Sequence, residues 1–248
     1  MYATGMGGPT ELLLRAFDVY RGCDSYLDRG EVVRRIVAGQ GGGGQRLPFE
    51  TLFVRPNRFR YQYSDRNKKD LCVVWTEEDE VMSWWSFQPR VRVSESILMA
   101  LAGPTGVSGG SAYRVPSLLI PPAPYESSWL ATSFGVAEDH GRELIDGVAT
   151  TKLHVLNPTE DFEKHAIPAQ VRERVERIGG LTLPELPATR WEWRSLWICA
   201  SDATIRREAQ RINFGRYVME ATTTWKPQVN QPIDPVRFGF IPPNTARA

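Results

Sequence analysis

The chain has 248 residues, of which 42% are hydrophobic and 24% are charged, and its formal net charge is +1. A chain of this length can bury one substantial core, so we expect a single domain spanning residues 1–248. With this near-neutral balance, no global field favours nucleic acid, an acidic membrane face or a polyanionic substrate, so any binding energy must come from local features, and we expect no nucleic-acid partner. No stretch reaches the roughly 20 apolar residues of a membrane-spanning helix, so membrane contact is expected to be peripheral only.

The first predicted element is an amphipathic helix over about residues 9–27. Thr10 is its expected N-cap, and apolar residues recur at helical spacing at Leu13, Ala16, Phe17, Tyr20 and Cys23. The residues before this helix carry no basic-plus-apolar export signal, so we expect either the mature form of an exported protein or a cytoplasmic protein.

The pattern then changes to short β-strands separated by turn residues, as in an antiparallel meander. The expected strands are 31–38, 47–54, 59–63, 71–75 and 81–87. In the third strand, aromatic residues alternate with Arg58, Arg60 and Gln62, so one face is buried. Residues 81–87 are apolar on both faces, which requires cover on both sides.

The second half adds a short helix at Ser94–Leu101 and a β-hairpin over 143–156 with its turn at Asp146-Gly147. Residues 157–189, with a charged helix at Gln170–Ile178, form an expected insertion outside the sheet. Strands 190–200, 203–213 and 217–226 complete the pattern. The predicted fold is therefore mainly β with a few helices, an antiparallel sheet curved around an apolar interior.

Enzymatic interpretations find little support in the sequence. The histidines His140, His154 and His165 have no i, i+4 pairing and no nearby cysteine, so we expect no metal site. Asp139-His140 has no G-x-S-x-G nucleophile partner, and the acidic run Glu77–Glu80 fits a charged hairpin better than a catalytic carboxylate pair. We expect a non-enzymatic protein without a cofactor. The cysteines Cys23, Cys72 and Cys199 are expected to be buried thiols, with a Cys72–Cys199 disulfide as the alternative.

Residues 52–61, LFVRPNRFRY, place an Arg-Pro element between two aromatic strands, and this pattern resembles the LolA-like family of outer-membrane lipoprotein carriers. The tail at 227–243, PQVNQPIDPVRFGFIPP, is similar to the family's closing segment. The unit at 196–202, LWICASD, followed by Ile205-Arg206-Arg207, resembles a further strand-turn-strand element, and Asp146-Gly147 with Leu153 is a weaker match.

The resemblance implies an incomplete β-barrel, a strongly curved antiparallel sheet wrapped around helices that cap a hydrophobic cavity. It implies binding and transport of lipid or acylated lipoprotein in the periplasm or another extracytoplasmic compartment, by a monomer with an envelope protein as a further partner. The alternative from the same fold is an envelope sensor that binds lipids or lipoproteins and signals to that partner. A Trp-rich carbohydrate-binding module is disfavoured because most tryptophans alternate inward. The chain departs from the family in its insertion and in its missing signal segment.

The expected cavity lining consists of inward-facing residues of the central strands, Phe59, Tyr61, Trp85, Phe87, Trp193 and Met219. The alternative is that these side chains fill a dry core. Arg55 matches the arginine of the family's Arg-Pro element, and this implies a gating role through hydrogen bonds to backbone carbonyls of the covering helices. The competing interpretation is an ordinary surface ion pair.

Overall fold

The computed structural model describes residues 8–38, 44–65, 67, 69–120, 130, 137–155, 190–213 and 217–243. Within these ranges the helices are α1 (Pro9–Gly22), α2 (Ile97–Val107) and α3 (Pro116–Leu119), and a 3-10 helix covers Pro235–Phe238. The strands are β1 (Ser25–Ala38), β2 (Gly44–Val54), β3 (Arg58–Ser64), β4 (Asp70–Glu77), β5 (Glu80–Trp85), β6 (Gln88–Ser94), β7 (Ala137–Ile145), β8 (Val148–Val155), β9 (Arg190–Cys199), β10 (Ile205–Asn213), β11 (Val218–Trp225) and β12 (Gln228–Val229).

The strands form one antiparallel sheet in the order β6-β5-β4-β3-β2-β1-β11-β10-β9-β8-β7. The strand β12 pairs with the start of β1, at Tyr26 opposite Val229, just before the β11 ladder begins at Gly30 opposite Trp225. The sheet is open, with β6 and β7 at its two ends, and it curves around the helices. The predicted fold class, mainly β with a curved antiparallel sheet around a few helices, is confirmed.

Apolar side chains occupy both faces of the sheet's central strands. In β4, Cys72 and Val74 belong to the main core on the concave side, whereas Val73 and Trp75 belong to a smaller cluster on the convex side. The C-terminal tail covers that convex cluster, because the ring of Phe240 lies 5.1 Å from that of Trp75 between centroids. The two-sided burial predicted for residues 81–87 is found as far as Trp85, since Val81 and Trp85 pack against the main core and Met82 and Trp84 belong to the convex cluster, but it fails at the exposed Phe87.

The element boundaries differ from the sequence prediction at several points. The first helix ends at Gly22 and begins after Gly8, so Thr10 lies inside it and is not the N-cap. The first strand starts at Ser25, because its N-terminal half alternates buried Tyr26 and Asp28 with less buried neighbours. The second helix runs through Pro104, whose burial against the core overrides the local helix-breaking signal.

The acidic run Glu77–Glu80 forms the turn of the β4–β5 hairpin, as predicted. The strand β6 was not predicted, since its alternating arginines and valines stand at an exposed sheet edge. The predicted insertion 157–189 with its helix Gln170–Ile178 lies outside the described residues, and the single-domain organisation stays a prediction. Among the described helices, none has the length and apolar character needed to cross a bilayer.

Gly30 lies in the middle of β1, where the chain has no room for a side chain. A Cβ added there would overlap the ring of Phe49 and the carbonyl oxygen of Thr224 on the neighbouring strands. We expect Gly30→Ala to lower the free energy of unfolding by about 1–3 kcal/mol, the usual range for overpacking a core. Urea denaturation would measure this, with Gly22→Ala as the control, because a Cβ at Gly22 meets nothing within 4 Å. Equal stability of the two variants would contradict the close approach at Gly30.

Candidate functional site

Helix α1 lies across the concave face of the sheet and buries one side of itself there. Its inward residues follow the i, i+3, i+4, i+7 pattern and are almost completely buried: Leu13, Ala16, Phe17 and Tyr20. The outward residues Leu14, Arg15 and Asp18 are exposed. The helix is therefore an amphipathic cover, and the apolar surface beneath it is available only if it moves.

Arg55 holds the C-terminal end of this cover. Its Nε donates to the carbonyl oxygen of Cys23 at 2.6 Å, and its Nη2 donates to that of Tyr20 at 3.3 Å and to that of Arg21. The last carbonyls of a helix have no partner within the helix, and a cation is favoured there by the helix dipole. The guanidinium thus satisfies carbonyl groups that a moving helix would otherwise leave unpaired.

The surroundings of Arg55 differ from those of a surface ion pair. The side chain is partly buried, and its guanidinium carbon lies 5.3 Å from the centre of the Phe53 ring. Across the described part of the chain, no carboxylate stands within ion-pair distance of it. The backbone N–H of Arg55 also donates to the carbonyl of Asp24, so this residue joins the start of β1 to the end of β2 twice.

A buried polar chain lies directly beneath the end of α1. The Tyr20 hydroxyl accepts from the backbone N–H of Ile205 at 2.9 Å, and its ring meets that of Tyr26 edge-on. The Tyr26 hydroxyl donates to Asp28 Oδ2 at 2.8 Å, and the N–H of Thr51 donates to Asp28 Oδ1 at 2.9 Å. Burial raises the pKa of Asp28 to about 7, against the opposing effect of these hydrogen bonds.

Four of the six predicted lining residues lie on the concave side. Phe59 and Tyr61 have no exposed surface, and the Tyr61 hydroxyl pairs with the Ser111 hydroxyl at 2.7 Å. Trp85 is half-buried and packs against the core. Met219 is half-buried and alternates in step with the buried Ala221. These residues pack against the chain's own side chains in this conformation.

The other two predicted lining residues do not face inward. Phe87 lies in the tight turn between β5 and β6, where its side chain is 69% exposed. Trp193 pairs with Arg211 and has the same strand parity as Trp197, on the convex face. The prediction failed for Phe87 because the strand ends at Trp85. It failed for Trp193 because both faces of β9 carry large apolar residues, so the sequence pattern does not show which face is the inner one.

A buried ionic cluster, which the sequence did not predict, occupies the concave side of β9 and β10. Glu208 is 1% exposed and forms ion pairs with two arginines, at 3.0 Å from Arg114 Nε to its Oε2 and at 3.7 Å from Arg194 Nε to its Oε1. Arg114 Nη2 also donates to Gln210 at 3.2 Å. Arg114 belongs to the segment between α2 and α3, so the cluster ties that segment to the sheet. The sequence did not reveal this cluster, because charged residues alternate along β10 and Glu208 has the pattern of an ordinary surface residue.

A groove of about 570 Å³ borders the outer side of α1 at its C-terminal turn. Its lining includes Asp18, Gly22 and Cys23 of the helix end, Asp202 of the β9–β10 turn and Asn230 after β12. The Asn230 side chain accepts the backbone N–H of Asp24 at 2.8 Å. The groove shares Cys23 with the set of residues whose carbonyls Arg55 binds.

The remaining candidates do not form a reactive site in the described residues. The rings of His140 and His154 lie 4.9 Å apart on neighbouring strands, a contact that the sequence did not predict, while His165 is outside the described residues. No group of three or more metal-ligating side chains occurs in the described ranges. The cysteines Cys23, Cys72 and Cys199 are buried and free, so the alternative disulfide is not formed.

Structure comparison finds chains that are similar along almost their whole length. The lipoprotein LppX of Mycobacterium tuberculosis is 15% identical with a TM-score of 0.43, over 91% of this chain and 98% of its own. LprF from Mycobacterium bovis is 12% identical with a TM-score of 0.44, over 92% and 97%. A LolA superfamily protein from Nitrosomonas europaea is 10% identical with a TM-score of 0.35, over 95% and 99%. No protein-family model and no curated protein matches the sequence.

The raised pKa of Asp28 predicts a pH-dependent stability. The unfolded carboxyl titrates near its ordinary value of about 4, whereas the folded one has a pKa of about 7. Proton binding therefore stabilises the folded chain fully below the lower value, and this stabilisation is lost as the pH rises to the upper one. We expect Asp28→Asn to gain stability relative to the parent between pH 4 and 7, by up to about 4 kcal/mol.

Urea denaturation of both proteins across that pH range would measure the difference. The matched control is Asp79→Asn, at an exposed position of the β4–β5 turn, which should follow the parent at every pH. A constant difference between Asp28→Asn and the parent would contradict the assignment.

Proposed function

We propose that the chain is a non-enzymatic carrier of lipids or acylated proteins, in which an acyl chain takes the place of helix α1 on the concave face. The observation that carries this proposal is the Arg55 guanidinium on the carbonyls of Cys23, Tyr20 and Arg21, above an apolar surface that the helix covers. A cover fixed by carbonyl hydrogen bonds can leave and return without any covalent step.

The energies of the two occupants are similar, which is what reversible carriage requires. Burying an acyl chain contributes about 0.8 kcal/mol per CH₂, or on the order of 10 kcal/mol for a sixteen-carbon chain. Helix α1 buries four side chains, Leu13, Ala16, Phe17 and Tyr20, and each large one contributes roughly 1.5–3 kcal/mol. Exchange of helix for acyl chain is then close to balanced, so a few hydrogen bonds can decide which occupant is present.

Arg55 is the gating residue in this proposal. Its bonds to the end of α1 exist only while the helix covers the sheet, so they stabilise the empty, closed state. The groove beside Gly22 and Cys23 offers space into which the helix end can move. The lining proposed for the acyl chain is the concave set Phe59, Tyr61, Trp85 and Met219.

The proposed compartment is extracytoplasmic, in the bacterial cell envelope. This part of the proposal depends on the motif resemblance at residues 52–61 and 227–243. An envelope protein that delivers or receives the cargo is the expected partner. The sensor alternative needs a signalling surface, and residues 157–189, where we would seek it, lie outside the described residues.

The cargo itself can be tested by native mass spectrometry of the chain purified from its own host. We expect a fraction of the molecules to carry an added mass that matches a phospholipid, a fatty acid or an acylated peptide. Organic extraction should release that mass and return the protein to its sequence mass. A single lipid-free species that also fails to take up added fluorescent fatty acid would overturn the carrier proposal.

Replacing Arg55 should slow cargo release. Because Arg55→Leu removes bonds present only in the closed state, the open, loaded state gains relative stability. Hydrogen bonds to charged groups contribute about 1.5–3 kcal/mol each, so release of a fluorescent fatty acid should slow by at least about tenfold. Stopped-flow fluorescence would measure the rate.

Two further variants sharpen this test. Arg55→Lys keeps the charge but replaces the planar fork, so its release rate should lie between those of the parent and Arg55→Leu. Arg58→Leu removes a nearby exposed arginine at the start of β3 and should leave release unchanged. Release at the parental rate from Arg55→Leu would rule out the gating role.

A further inference from the structure

Helix α2 has an exposed face made only of apolar residues and glycine. The exposed positions recur at i, i+1, i+4, i+5, i+8 and i+9, which is one side of a helix, and they are Leu98, Met99, Ala102, Gly103, Gly106 and Val107. Met99 is 64% exposed, Val107 44% and Leu98 41%. A helix face directed at water normally carries polar side chains, so this one is built to be covered.

Two aromatic side chains extend that face onto the sheet. The ring of Trp85 lies against Gly103, because a Cβ at Gly103 would stand 3.2 Å from Trp85 Cζ2. The rings of Trp85 and Phe87 are 5.1 Å apart between centroids, and Phe87 is 69% exposed in the turn that follows β5. We call the α2 face together with Phe87 the apolar patch; Trp85 is partly buried between them and packs against the core.

Basic side chains lie beside the apolar patch. Arg90 and Arg92 are exposed on β6, which follows the Phe87 turn and contacts α2. Arg92 donates to the side chain of Gln88, and within the described ranges neither arginine has a carboxylate partner. The Phe87 turn is joined to the start of β4 by the bond from Ser86 N–H to Leu71 O, and Lys69 is exposed two residues before that point.

Negative charge gathers at the other end of the same hairpin. The acidic turn Glu77–Glu80 is five ladder positions from Trp85, or roughly 17 Å along a strand. Three further carboxylates lie near the patch. Asp65 accepts hydrogen bonds from the N–H groups of Asn67 and Lys69, and Asp70 accepts one from the Ser64 hydroxyl, whereas Glu95 is exposed just before the N-cap of α2. The Phe87 end of the patch is therefore apolar and basic, and the acidic side chains gather toward the start of α2.

We propose that the apolar patch docks the protein on the surface of an anionic phospholipid bilayer. Exposed aliphatic and aromatic side chains beside arginines are the combination that enters the interfacial layer and pairs with acidic headgroups. A second copy fits less well, because a two-fold contact through the patch brings Arg90 and Arg92 against the same arginines of the other copy. This docking goes beyond the carrier function and does not depend on it, since it needs no bound cargo.

The test is co-sedimentation of the full chain with vesicles of phosphatidylglycerol mixed with phosphatidylcholine, and with vesicles of phosphatidylcholine alone. We expect binding to the mixed vesicles to be about tenfold stronger and to weaken with added salt. The double variant Phe87→Ser with Met99→Ser should lose about tenfold or more of its binding. The double variant Arg90→Gln with Arg92→Gln should bind both kinds of vesicle alike.

The control is Val236→Ser, because Val236 is also an exposed apolar residue, at 81%, but lies on the C-terminal tail. It should bind as the parent does, and thermal unfolding would confirm that all variants fold. Absence of vesicle binding by the parent, or equal loss in Val236→Ser and the patch variants, overturns the proposal. The proposal is also overturned if the parent is a dimer and only the patch variants are monomeric, because the patch would then be the contact with a second copy. Retained fatty-acid uptake in the patch variants separates a failure of docking from a failure of the carrier function.

Discussion

The carbonyl groups at the end of helix α1 impose the constraint on which the rest of this structure depends. A helix that covers an apolar sheet must end somewhere, and its last carbonyls need donors that an apolar surface does not supply. Here one guanidinium from the end of β2 supplies them to Tyr20, Arg21 and Cys23. Because arginine carries several donors in one plane, a single residue fixes the helix end without burying a carboxylate beside it.

The concave side combines an apolar core with a small number of buried polar groups. Tyr20, Tyr26 and Asp28 lie under the end of α1, and Glu208 with Arg114 and Arg194 lies under the segment before α3. Such groups contribute little net stability, since desolvation offsets much of their attraction, but they favour one register of the covering segments over others. The covering segments are thus positioned by polar contacts and stabilised by apolar ones, so a change in the polar contacts can move them while the core persists.

The sequence predicted most of the sheet because strand alternation is a local property. The strands that contain Phe59, Tyr61 and the 217–226 pattern were found within a residue or two, as was the acidic hairpin at Glu77–Glu80. The face on which a residue lies was harder to predict, since β5 ends at Trp85 and leaves Phe87 in the exposed turn, and strand parity puts Trp193 on the convex face. The burial of Asp28 and Glu208 could not be predicted. A single carboxylate in an alternating strand gives the same sequence pattern whether its face of the sheet is exposed to solvent or covered by a helix far away in the sequence.

Arg55 and the Phe87 turn of the apolar patch lie at opposite ends of β3. Arg55 precedes β3. The Phe87 turn is hydrogen-bonded to Leu71, which follows the hairpin at the other end of β3. The seven residues of β3 separate the two positions by roughly 20 Å. The acidic turn Glu77–Glu80 is at the Arg55 end, since Trp75 pairs with Arg60. The Phe87 turn and the end of α1 that Arg55 binds therefore lie at opposite ends of β3. In the carrier proposed above, an acyl chain that enters beneath the end of α1 would come from the side opposite the Phe87 turn, so docking through that turn would leave the entry open to a delivering or receiving protein.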